Sequence, residues 1–141
     1  MLRQLILGSA VSLGNIAIHA LVMALIVRAA RAVHARFLSH LTLRLVAVMI
    51  VTVAVLMAAH LSEIAAWSLA YALFAIAAEG TDYVYFAFVN YTTLGYGDVV
   101  PVARWRLLGP MTAMNGVLLF GWSTAVIFHV LFTTVRPSRN D

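Results

Sequence analysis

Long apolar runs separated by short polar breaks make up most of this chain. Leu5 to Val27 is the first run. Roughly 20 helical residues cross a bilayer core, so this run is long enough to span. A basic stretch from Arg28 to His40 follows. Leu41 to about Ser62 is a second run, and Ile64 to Ala78 continues it with Trp67, Tyr71 and Phe74. One helix over all of 41–78 would be about 57 Å long, nearly twice the bilayer core. Such a helix either tilts and emerges at one face or breaks near His60–Glu63. The favoured reading is an emerging helix that continues as an aromatic collar, with Trp67 and Tyr71 at headgroup level. Ala78 to Asp82 is a turn, and Asp82 is placed to cap a short helix over Tyr83–Tyr91. That helix is too short to span, so other protein must surround it. After Thr92–Asp98 and Pro101, the run Arg106 to Thr134 spans again. The prediction is an all-α membrane protein with three transmembrane helices and one short re-entrant helix.

Composition agrees. The chain is 64% hydrophobic and 10% charged, too apolar for a soluble domain of 141 residues. It has no cysteine, which removes disulfides, thiol catalysis and cysteine metal sites. All nine basic residues are arginine. Arg28, Arg31, Arg36 and Arg44 crowd one linker, the pattern of a cytoplasmic loop against anionic headgroups rather than a nucleic-acid surface. They follow the first apolar run instead of lying within it, so they do not form a voltage sensor. Ala30-Arg31-Ala32 has the form of a cleavage site, but arginines directly after an apolar core read as stop-transfer. Arg136 and Arg139 place the C-terminus in the cytoplasm, and three spans then place the N-terminus outside. Glu63, Glu79, Asp82 and Asp98 fall on the predicted outer side, an electronegative mouth that Arg104 and Arg106 partly oppose.

The distinctive stretch is Thr92-Thr93-Leu94-Gly95-Tyr96-Gly97-Asp98. Glycine alternating with bulkier residues lets a backbone run with its carbonyls turned one way, because glycine adopts angles closed to other residues. Rings of carbonyls from several subunits can replace the water around a dehydrated potassium ion. The stretch resembles a potassium-channel selectivity filter, TVGYG, with Leu94 in place of valine. The order of apolar helix, short aromatic helix, filter, proline and apolar helix also resembles the pore module of that family. The resemblance covers about residues 41–134. It implies an outer helix at 41–78, a pore helix at 83–91, a filter at 92–98 and an inner helix at 106–134. Residues 1–40 add a helix and linker outside the common two-helix plan, and 136–141 form a short tail.

The resemblance further implies a homotetramer, since one loop supplies one quarter of a filter. Potassium would be the permeant ion, with no cofactor and no catalysis. Its sites would be the carbonyls of Thr93, Leu94, Gly95 and Tyr96 and the Thr93 hydroxyl, with Gly97 completing the strand. Thr92 and Asp98 would flank it. The Tyr96 ring and the Leu94 side chain would pack behind the filter. Many family members carry two tryptophans in the pore helix, where this chain has Tyr85 and Phe86. A glutamate found behind some filters is Val89 here, with Asn90 beside it. A different hydrogen-bond network around Tyr96 and Asp98 is therefore expected. The setting implied is a bacterial inner membrane. Gating is expected from the membrane, voltage, pH or a partner, because the tail has no room for a regulatory domain. A non-selective cation channel and a non-conducting assembly subunit are the alternatives.

Several other residues bear on this reading. Gly8, Ser12, Asn15 and His19 share one helical face, which should turn toward protein; His19 reads as packing before it reads as a proton sensor. Gly116 is placed as a hinge or a packing glycine of the inner helix. Asn115 faces either a cavity or a neighbouring helix. His129 is a candidate pH-sensitive gate element. His60 and Glu63 lie one turn apart. Two ligands are too few to define a metal site, so an ion pair or hydrogen bond is expected there.

Overall fold

The computed structural model describes residues 1–34 and 41–135. The expectations for Arg36, Arg136, Arg139 and the tail 136–141 lie outside those residues. So does the side chain of Arg31.

Four helices form the fold: α1 (Leu2–His34), α2 (Leu41–Leu73), α3 (Tyr83–Tyr91) and α4 (Leu108–Val135), with a single 3-10 turn at Ala103–Trp105 before α4. Three of them are long and apolar enough to cross a membrane. Their outward faces carry leucine, isoleucine and phenylalanine, among them Leu13, Leu21, Ile50 and Phe132, all exposed. Lipid tails are as apolar as these side chains, so the exposure costs little in a bilayer.

α2 runs unbroken through His60 and Glu63, which decides between tilting and breaking. It also stops at Leu73, short of the expected Ala78. The reason is local. Ala75 takes a left-handed φ of 45°, and its N–H donates to Ala72 O at 3.3 Å. Ile76 N–H then donates back to Tyr71 O at 3.1 Å. This pair of bonds closes a helix by satisfying its last carbonyls. The accompanying apolar contact is present, because Ile76 and Tyr71 belong to one buried cluster. The aromatic collar is thus one helix end followed by a turn.

α3 starts where Asp82 caps it. The Asp82 carboxylate accepts from Val84 N–H at 2.9 Å and from Tyr85 N–H at 3.1 Å. The helix lies between α2 and α4, with Phe86, Ala87, Val89 and Tyr91 buried. The upper core joins these to Trp67, Tyr71, Leu108 and Leu119. A lower core of Met23, Ile26, Leu56, Val126 and Val130 ties the three long helices together.

The polar stripe on α1 faces inward as expected: Gly8, Asn15 and His19 are buried. Near its start, Gln4 Oε1 accepts from Leu107 N–H at 2.8 Å, anchoring α1 to the beginning of α4.

Candidate functional site

The segment 92–98 leaves the end of α3 as a loop whose amides and carbonyls are treated differently. Three consecutive N–H groups fold back onto the last turn of α3. Thr93 N–H donates to Asn90 O at 3.0 Å, and Leu94 and Gly95 N–H both donate to Val89 O, at 3.0 and 3.3 Å. Among the described residues, no hydrogen bond is accepted by the carbonyls of Thr93 to Gly97. The whole segment is exposed. Its backbone also alternates: Thr93 has φ 60°, Gly95 58° and Gly97 79°, while Leu94 and Tyr96 have negative φ. Two of these left-handed positions carry glycine, which adopts them freely. Thr93 is β-branched, and such a residue is rarely found there, so local strain sits at the first turn of the loop.

The loop is braced from α3. Tyr85 Oη donates to Asp98 Oδ2 at 2.7 Å. Through that bond first, the carboxylate pushes the Tyr85 phenol above its ordinary pKa and so keeps it a donor. Thr92 Oγ1 donates to Phe88 O at 2.8 Å and closes α3. Of the two expected support residues, Tyr85 thus reaches the loop. Phe86 instead enters the core, its ring centroid 5.0 Å from that of Tyr71. Leu94 and Tyr96, expected to pack behind the loop, are 54% and 69% exposed, so nothing within this chain covers them.

α4 supports the loop from below. A Cβ at Gly116 would collide with the carbonyl of Tyr91, the last residue of α3. The missing side chain is therefore what lets the two helices touch. Asn115, left open between a cavity and a neighbouring helix, takes the second course. Its Oδ1 accepts from Asn15 Nδ2 at 3.1 Å and from Trp67 Nε1 at 3.0 Å.

Glu63 departs most from expectation. It was placed at an acidic mouth, yet it is fully buried. His19 Nδ1 lies 2.7 Å from its Oε1 and His60 Nδ1 lies 3.1 Å from its Oε2, while Tyr91 Oη donates to the same carboxylate. The expected His60–Glu63 bond is present. The partnership of His19, and the arrival of Tyr91 from α3, were missed. The polar stripe of α1 was the available signal for His19, but nothing in it named Glu63. Arg104 and Arg106 make no salt bridge among the described residues. His129 is exposed on α4.

The ion channel family model matches residues 45–133, from early in α2 to near the end of α4. This chain belongs to the ion channel family. No curated protein and no solved structure matches it. The channel is accordingly an integral membrane protein and not an enzyme. The matched region contains α3 and the whole exposed loop, while α1 lies outside it. The polar contacts of Gln4, Asn15 and His19 nevertheless bind α1 into the channel.

Proposed function

We propose that this channel is a passive, potassium-selective pore in which four copies place their 92–98 loops around one axis. The carbonyls of Thr93, Leu94, Gly95 and Tyr96, with the Thr93 hydroxyl, replace the hydration shell of the permeant ion. In this reading Gly97 ends the strand, Asp98 stands at its outer end, and α3 is a re-entrant pore helix. The observation that carries the proposal is the division of the loop's backbone. Its amides are bonded to α3, its carbonyls are without partners, and every second residue is left-handed. Alternation of this kind sends N–H groups to one side of a chain and C=O groups to the other.

A tetramer accounts for a second observation. Leu94 and Tyr96 are large and uncovered in a single chain, and a neighbouring copy supplies the missing cover. The wider topology follows from the same reading, with the loop at the outer face, the N-terminus outside, the C-terminus inside, and anionic lipid near Arg28 and Arg44. The membrane would be a bacterial inner membrane.

Reconstitution into vesicles tests this. Potassium should pass far better than sodium, and barium should block the flux. Equal permeability for the two ions makes the protein a non-selective cation channel. No flux and no barium effect make it a non-conducting assembly subunit. Cross-linking in detergent should give four subunits.

A further inference from the structure

His19, His60 and Glu63 bring three metal-ligand side chains together in the interior, far from the loop's own chemistry. One donor atom from each lies within 4.8 Å of the other two. We propose that this cluster, with the hydroxyl of Tyr91, binds one divalent ion of the zinc class where all four helices meet.

The donor set comes first. Two imidazoles and a carboxylate suit zinc and its late first-row neighbours, whereas magnesium and calcium favour all-oxygen shells. Tyr91 adds a fourth donor, its Oη 2.9 Å from His60 Nδ1. In a tetrahedral zinc shell with nitrogen and oxygen ligands, donors are about 3.3 Å apart. The separations of 2.7, 2.9 and 3.1 Å need open by only a few tenths of an ångström.

The outer layer fits as well. A metal-bound histidine usually donates its second ring N–H to a fixed acceptor, which sets its tautomer. His60 Nε2 lies 2.9 Å and His19 Nε2 3.3 Å from the same atom, Ser123 Oγ on α4. With both Nδ1 atoms on the metal, both Nε2 atoms carry protons. A hydroxyl oxygen has two lone pairs and accepts both.

Charge gives the third reason. A buried carboxylate needs a compensating cation close by. The groups facing Glu63 are His19 from α1, His60 from α2, Tyr91 from α3 and the uncharged Ser123 from α4, so no arginine supplies that charge. With both rings neutral the site lacks its positive charge. A divalent ion supplies it and uses every donor already aimed there.

The test uses the full-length channel in detergent, stripped with a chelator and then given Zn2+ or, as a coloured probe, Co2+. The expected result is one metal per chain, a raised Tm, and the intense visible bands of four-coordinate Co2+. His19→Gln and Glu63→Gln should lose stoichiometric uptake. Ser123→Ala should weaken it by about 10- to 100-fold, the usual cost of an outer-layer partner. His129→Gln, altered at an exposed histidine, should keep it. The proposal fails if stripped wild-type protein takes up no stoichiometric metal, or if His19→Gln binds as tightly as wild type. A Tm that moves with pH but not with Zn2+ also overturns it, giving the cluster to a shared proton. If neither variant folds, the wild-type Co2+ spectrum decides, and a weak six-coordinate spectrum ends the proposal.

Discussion

The exposed loop at 92–98 and the buried seam around Glu63 treat polar atoms in opposite ways. In the seam, helices that are apolar on the outside turn their few polar groups toward one another. Asn15, His19, His60, Glu63, Trp67, Tyr91, Asn115 and Ser123 all find partners within the chain. In the loop, the amides are bonded and the carbonyls are left free. An unpaired carbonyl in a bilayer costs several kcal/mol, so this arrangement persists only if something outside the chain meets it. The seam therefore has the character of structure, and the loop that of a surface waiting for an ion and for other copies of the chain.

Substitutions can break that contrast or sharpen it. The largest effect is expected at Glu63. Glu63→Ala removes the common partner of two histidines and a tyrosine, and a broken buried pair costs about 3–5 kcal/mol. Thermal unfolding in detergent should show a large fall in Tm, and an unchanged Tm would dissolve the contrast. Gly116→Ala comes next. Its Cβ meets backbone rather than a flexible side chain, so the helices must separate, at about 1–3 kcal/mol. A melt of this variant matching that of the parent would show that α4 and α3 are not held as tightly as described.

Gly95→Ala is the complementary case. At φ 58° a side chain is strained, but the added Cβ has no neighbour nearer than 4.0 Å. The expected loss of stability is about 1 kcal/mol. Potassium preference over sodium should nevertheless fall by about tenfold, which corresponds to 1.4 kcal/mol in relative ion energy. Selectivity retained in this variant would detach the loop from ion recognition. Ala75→Gly should act in the opposite direction. It relieves a left-handed alanine at the end of α2 and should raise stability by roughly 0.5–1 kcal/mol, read as a higher Tm. The smallest effect is expected from Tyr85→Phe, which deletes the brace to Asp98. Amide exchange in 95–98 should quicken while global unfolding stays the same, and unchanged exchange would mean the brace does not hold the loop.

Much of this architecture was legible in the sequence because a bilayer leaves few choices. Apolar runs of the right length become spanning helices. Asp82 before an aromatic segment becomes a cap, and the small and polar stripe of α1 turns inward. What could not be read depended on contacts between distant residues or on unmarked turns. α2 ends at Ala75 without the glycine or proline that ordinarily announces such an end. Asn115 was visibly polar, but its direction is fixed by Asn15 and Trp67, neither near it in sequence. Glu63 looked like one of several outer acids, and only the fold brings His19 to it across forty-four positions. The loop motif itself was evident at once. Its free carbonyls and the exposure of Tyr96 were not, because they depend on how α3 ends.

The bare surface at Gly116 joins the lower half of the molecule to the upper. With no side chain to act as a cushion, the fourth helix rests directly on the peptide that leads into Thr92. Any bend of that helix at this level must push on the same peptide. An opening motion near the cytoplasm and the geometry of the outer loop are then two ends of a single lever.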